Sequence, residues 1–265
     1  MKDVVLLAAG IIGIYMTAAF AVALHRRNNG IADIAWGPGF IVTGWLVFLL
    51  RGHGQARGWL VLALVTVWGG RLAWHVFRRN RGREEDFRYA AWRRQWGRWF
   101  VARTFLQVFM LQGLFMLLIL SPVLLAAGQA QPPLNGLDLL GGLLWLKGFL
   151  FETVGDRQLA AFRRDPANRG KLIATGLWRY SRHPNYFGEA LQWWGVAVIA
   201  LSAPRGVLGL IGPAVITGLL LFVSGVPLLE RKYAGRPDWE EYKRRTSMFV
   251  PWPPKRSKQT TNRDA

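Results

Sequence analysis

The chain has 265 residues, 52% of them hydrophobic, with 14 Trp, no Cys and a formal net charge of +19. The missing cysteines exclude a disulfide framework and a thiolate metal site. Several stretches are apolar all round for about 18 residues or more, long enough to span a bilayer, which excludes an ordinary soluble domain. The charge calls for no nucleic acid, because Arg-rich loops beside membrane spans serve orientation and contact with anionic lipids.

The first apolar stretch lies within residues 1–24, VVLLAAGIIGIYMTAAFAVAL, and reads as a retained helix, since it is too long for a signal-peptide core and has no small-x-small cleavage site. Further spans are expected at Ile31–Leu50, Gly58–Phe77, Thr104–Ala127, Leu137–Val154, Tyr186–Leu201 and Val207–Leu229. Lys147, Glu189 and Gln192 interrupt the fifth and sixth. The fold class is therefore an all-α integral membrane protein with seven transmembrane helices. Residues 1–253 make a single domain, with the third of three polar clusters in its second half, about 150–253, followed by a polar tail, 254–265.

Basic residues set the topology. Arg26 and Arg27 lie between spans one and two, nine Arg lie in 78–103, seven Lys or Arg in 155–184, and ten after Leu229. The alternate loops are poor in charge. The pattern places the N-terminus outside and the C-terminus in the cytoplasm, with a basic cytoplasmic face suited to an anionic cofactor.

Three polar clusters stand where apolar segments begin. The first, NNGIADIAWGPG (28–39), puts Asp33 near the start of span two, and Gly37-Pro38-Gly39 should kink that helix and open space. Arg71 and His75 follow on span three, four residues apart. The second, 80–103, carries Glu84, Glu85 and Asp86, and its Trp92, Trp96 and Trp99 read as an interfacial aromatic anchor. In the third, 151–189, Glu152, Asp156 and Arg163 share a helical face. Asn168–Lys171 should break that helix. Pro184 suits the first turn of span six, where a missing N–H costs nothing. Asn185 and Glu189 then descend on one face, and an ionisable group at that depth is a functional hypothesis by default. The four His have no carboxylate or thiol grouping typical of a metal site, and no metal is expected.

Asp156 with RQLAAFR, then NRGK, TGLWRYSRHPNYFGE and LLERKYAGRPDWEEYKRRTSMFVPWPP, together resemble a bacterial membrane family related to the steroid 5-alpha-reductases. NGIADIAWG and the NRG…EDFRY stretch resemble it too. The resemblance implies NADPH as hydride donor and a 3-oxo-4-ene steroid, or a similar apolar enone entering from the bilayer, as acceptor. Localisation would be the bacterial inner membrane, with the cofactor on the cytoplasmic side. Carried over residue by residue, the cofactor site matches Asp156, Arg163, Tyr180, Asn185, Glu189 and Tyr233, with His183 beside them in the same motif. Charge and position add Arg169, Lys171, Arg179, Arg182 and Arg231 as phosphate contacts. The family's steroid-binding glutamate and tyrosine on spans two and three have no clean match. Asp33 is the candidate replacement for the glutamate, and Tyr89 is its candidate partner in a catalytic donor network. The RHPxYxGE pattern also resembles membrane methyltransferases that use S-adenosylmethionine, and a non-enzymatic scaffold or transporter is a third class.

Overall fold

The computed structural model describes residues 1–81 and 87–255. Glu84, Glu85, Asp86 and the tail from 256 onward lie outside the described residues. Among the described residues, the secondary structure is helical, with no strand and one isolated parallel bridge, Ser181 to Ser247. Five helical stretches are long and apolar enough to cross a membrane: Lys2–Arg26, Ile31–Arg51, Ala56–Asn80, Ala91–Ile119 and Gly206–Arg231. The fourth starts earlier than the sequence suggests and ends at Ile119, because Pro122 starts a separate short helix at Ser121. The fifth and sixth expected spans are helical but do not join the five. One carries Asp138, Lys147 and Glu152 within it, and the other has 17 residues.

The chain divides into two compact units, Met1–Leu143 with Trp194–Ile216, and Leu144–Trp193 with Thr217–Ala265.

In the first unit, helices α1 (Lys2–Arg26), α2 (Ile31–Arg51) and α3 (Ala56–Asn80) pack through small residues. The buried positions of α1 are Val4, Ala8, Ile12, Met16, Ala19 and Ala23, one per turn or nearly so, and its other faces are left to lipid. The Gly37-Pro38-Gly39 sequence does not open space. The α2 helix runs through Pro38, and a Cβ at Gly37 would collide with the Gly69 carbonyl, while one at Gly39 would meet Met116 and Tyr15. These glycines let helix backbones touch, the usual role of small residues at membrane helix crossings. Phe40 and Trp68 fill the space beside them edge to face at 5.3 Å.

Arg57, at the start of α3, is 1% exposed. Its Nε and Nη2 donate to the two carboxylate oxygens of Asp138 at 2.8 Å each, and the guanidinium also reaches the Pro132 and Pro133 carbonyls at 3.0 and 3.1 Å. A buried bidentate pair satisfied in this way costs about 3–5 kcal/mol to break from one side. The helices α4 (Phe87–Trp96), α5 (Phe100–Arg103), α6 (Leu111–Ile119) and α7 (Ser121–Ala127) complete this part of the unit, with a π-helical turn Thr104–Met110 between α5 and α6.

The second unit is built on α8 (Gly136–Arg164) and α9 (Pro184–Ala200), which approach closely where a Cβ at Gly148 would lie 2.6 Å from the Gly188 carbonyl. α9 begins at Pro184, as its sequence predicts. α8 ends at Arg164, earlier than Asn168–Lys171, because Asp165 accepts from Ala167 N and caps a 3-10 turn over Pro166–Asn168. A second 3-10 turn, Gly176–Arg179, is held on α8 by Leu177 N donating to Gln158 Oε1 and Trp178 Nε1 donating to the Gly155 carbonyl. Gly176 has φ +59°, and a side chain there would strike Gln158. α11 (Val226–Arg231) and α12 (Pro237–Arg245) follow α10 (Ile211–Gly218) and a π-helical turn, Leu219–Val223.

Candidate functional site

After α12 the chain doubles back along the loop before α9. Arg182 N donates to Ser247 O, Trp252 N to Tyr180 O, and Ser181 Oγ to Phe249 O at 2.7 Å. The Tyr242 hydroxyl donates to the Trp178 carbonyl from below. Burial pushes the Tyr242 phenol well above the usual tyrosine range, so it remains a donor. These bonds fix one wall of a cavity of about 590 Å³ that lies wholly within the second unit. Its volume falls within the usual range for small-molecule sites.

The cavity is basic and aromatic. Arg163, Arg164, Arg169, Lys171, Arg182, Lys232 and Arg236 line it against a single acid, Asp165. Phe162, Trp178, Tyr233, Trp239 and Tyr242 supply ring faces. Arginine forks match phosphate oxygens and aromatic faces stack on planar rings, so the donor set fits a phosphorylated nucleotide. His183 adds a buried ring nitrogen, Nδ1, that has no hydrogen-bond partner among the described residues.

Not every cation lining the cavity is equally available. Arg182 is 7% exposed. Its Nε donates to Glu230 Oε1 at 2.9 Å, its Nη1 to the Lys243 and Thr246 carbonyls at 3.1 Å each, and its guanidinium carbon lies 5.7 Å from the Trp239 ring centre. The same Glu230 oxygen lies 3.1 Å from His183 Nε2. Glu230 therefore orients the two residues that begin the RHP motif. Arg236 is bound bidentately to Asp238 and donates to the Gly170 carbonyl at 2.8 Å, tying α12 to the turn after α8.

Of the cofactor contacts expected from the sequence, Arg163, Arg169, Lys171, Arg182, His183 and Tyr233 line the cavity, while Asp156, Arg179, Tyr180, Asn185, Glu189 and Arg231 do not. Arg179, Tyr180 and Arg231 are exposed. Asp156 accepts from Asn185 Nδ2 at 3.0 Å across α8 and α9. Further along the same two helices, Gln192 Nε2 donates to Glu152 at 2.6 Å, with both side chains buried. The Oδ1 of Asn185 and the Oε1 of Gln192 are buried without a hydrogen-bond partner among the described residues. Sequence reasoning missed Arg164, Lys232, Arg236, Trp178, Trp239 and Tyr242. The RPDWEEY segment carried a signal for three of them, since Trp239 and Tyr242 recur at helical spacing just after Arg236.

In the first unit, Tyr89 Oη donates to Asp33 Oδ1 at 3.0 Å. Tyr89 is 3% exposed and Asp33 is half-buried. α4 thus returns its first turn to the start of α2 and joins the two candidate catalytic residues. Among the described residues, no group of His and acids is placed to hold a metal ion.

A family model described as "Protein of unknown function (DUF1295)" matches residues 19–246. An uncharacterized protein of Schizosaccharomyces pombe is 28% identical over 202 residues, 66% of this chain and 58% of that protein. The 3-oxo-5-alpha-steroid 4-dehydrogenase 1 of Homo sapiens is 29% identical over 43% of this chain and 41% of its own length. The Bos taurus protein of the same description is 36% identical over 64 residues, 24% of this chain and 25% of its own. The chain thus spans less than two thirds of the length of each of these relatives. No solved structure matches. The family model covers far more than half of the sequence, and the chain belongs to the DUF1295 family.

Proposed function

We propose that this protein is a seven-span membrane reductase that uses NADPH to reduce the 4,5 double bond of a 3-oxo-4-ene steroid or a similar lipid enone. The observation that carries the reading is the basic, aromatic-walled cavity of the second unit, and the partial similarity to the reductase relatives supports it. Arg163, Arg169 and Lys171 would hold phosphate, and the aromatic walls would take the planar rings. When bound, NADPH supplies hydride to the β-carbon of the enone.

The Asp33–Tyr89 pair is the candidate for polarising the carbonyl. With Asp33 in its acid form the pair has two O–H groups. One is spent between them, and the second can donate to a carbonyl oxygen as it gains negative charge. A placed donor of this kind is worth roughly 3–4 kcal/mol of barrier. Protonation at the α-carbon completes the reduction. The basic loops support a topology with the N-terminus outside and the C-terminus and cofactor cavity at the cytoplasmic face of a bacterial inner membrane. α8 and α9 would then serve as the fifth and sixth spans, their polar residues facing protein instead of lipid.

Thermal unfolding of detergent-solubilised protein with NADPH or S-adenosylmethionine tests the cofactor. NADPH should raise the melting temperature. Stabilisation by S-adenosylmethionine alone would replace the reductase with a methyltransferase, although seven basic groups are a poor setting for a sulfonium. NADPH oxidation against steroid and simpler lipid enones, with product analysis, tests the substrate.

A further inference from the structure

A strongly basic surface outside the cavity lies on α4 and α5. Residues 87–103, FRYAAWRRQWGRWFVAR, contain five Arg and no acid. The side chains of Arg93, Arg94, Arg98 and Arg103 are exposed. Gly97, at φ +48°, turns the chain between the two helices, with nothing near its missing Cβ. The turn folds the segment onto its own rings. Trp92 and Trp96 stack at 5.1 Å, the Arg93 guanidinium carbon lies 4.2 Å from the centre of Phe100, that of Arg103 6.0 Å from Trp96, and that of Arg98 5.5 Å from Trp99. Cation–π contacts of this kind hold the guanidinium groups against the rings while their edges face outward. Arg93 Nη2 also donates to the Arg27 carbonyl at 3.4 Å, which brings the exposed Arg26 and Arg27 at the end of α1 to the same surface.

The location identifies what such a surface meets. The stretch Ala91–Ile119 is one of the five able to cross a membrane, so this basic segment sits where a span leaves the bilayer. Trp99 is 57% exposed, as suits a ring at head-group depth. Glu84, Glu85 and Asp86 lie outside the described residues, and Asp33 is engaged by Tyr89. An array of arginine forks set among tryptophans at that level complements phosphodiester head groups.

From this we infer that α4 and α5 form a binding surface for anionic phospholipid head groups, distinct from the nucleotide cavity and independent of what that cavity holds. Purified full-length protein in a neutral detergent is titrated with phosphatidylglycerol, phosphatidylcholine or inorganic phosphate, and retained lipid is counted by native mass spectrometry. Wild type should retain phosphatidylglycerol in preference to phosphatidylcholine, and inorganic phosphate should not displace it. R93Q/R94Q/R98Q/R103Q should lose up to several hundredfold in phosphatidylglycerol affinity, since each basic group near an anionic surface is worth about fivefold, and a loss of less than about tenfold would overturn the inference. R169Q/K171Q, in the cavity, should retain it. If the fourfold variant does not fold, R94Q/R98Q alters only exposed side chains and should show a smaller loss in the same direction. Undiminished phosphatidylglycerol retention in a folded variant, equal retention of phosphatidylcholine by wild type, or displacement by inorganic phosphate would each overturn the inference. Loss confined to R169Q/K171Q would move the lipid to the cavity and overturn it as well.

Discussion

Glu230→Ala should be among the most damaging single changes in the second unit. The carboxylate oxygen it removes accepts from Arg182 Nε at 2.9 Å and lies 3.1 Å from His183 Nε2. The side chains of Arg182 and Glu230 are 7% and 17% exposed, so water cannot fully replace the lost partner. Arg182 keeps its two carbonyl acceptors through Nη1 but loses its only carboxylate in the described structure. Breaking a buried pair from one side costs about 3–5 kcal/mol. For a chain of this size, about 2–4 °C of melting temperature per kcal/mol gives a fall of roughly 6–20 °C. Glu230→Gln, which retains an acceptor but not the charge, should cost less, about 1–3 kcal/mol. Arg182→Met combined with Glu230→Leu should recover much of the loss, because replacing both members of a buried pair is often neutral. Thermal unfolding of Arg182→Met, Glu230→Leu and the double variant in one detergent measures the coupling. Costs that simply add in the double variant would refute the pairing as the source of stability. NADPH affinity should fall with Glu230→Ala, since both residues it orients line the cavity.

Tyr89→Phe should slow enone reduction by roughly 10²–10³-fold while NADPH still binds, as expected for removal of a transition-state donor; Asp33→Asn should do likewise, and full turnover by either would remove the pair from the mechanism. Arg57→Met should destabilise the first unit by about 3–5 kcal/mol through the stranded Asp138 carboxylate, measured by thermal unfolding, without changing cofactor affinity. Gly188→Leu should disrupt the α8–α9 crossing, where even a Cβ would press on the Gly148 carbonyl and Glu152, whereas Gly142→Leu, which meets nothing, should be tolerated; equal expression and stability would contradict the close approach. The Arg236 hydrogen bonds hold the Asp238 carboxyl below its usual range. Its contribution is therefore present above the ordinary aspartate value and is lost only as pH falls through the lower folded value. The stability contributed by this pair should be flat near neutrality, and Asp238→Asn, compared by thermal unfolding at each pH, should match wild type only in strong acid.

Much of the fold is visible in local patterns. Apolar length locates the five helical stretches able to cross a membrane, and the proline at 184 locates the start of α9. The Asp33–Tyr89 contact was accessible because both residues are polar exceptions beside apolar segments, though their pairing spans 56 positions. Other features depend on distance in sequence that no local pattern encodes. Arg57 looks like a loop cation until Asp138, 81 positions later, encloses it. Arg182 looks like a phosphate ligand until Glu230 and the Thr246 carbonyl claim its nitrogens. Gly37-Pro38-Gly39 reads as a kink because proline chemistry is local, while the Gly69 backbone that closes on it belongs to another helix. The helical spacing of Trp239 and Tyr242 is visible in the sequence, but that they wall a cavity depends on the chain folding back to Trp178.

That return of the chain has a consequence for biosynthesis. The loop from Trp178 to Arg182 exchanges hydrogen bonds with residues 64 to 68 positions downstream. At about 5–20 residues per second, the ribosome needs roughly 3–14 s to supply them. During that interval α8 and α9 can form while the wall of the cavity is still unfastened. Nucleotide affinity in a series of nascent chains arrested at increasing length should therefore appear abruptly once Thr246–Trp252 has emerged, and not rise gradually with the insertion of each helix.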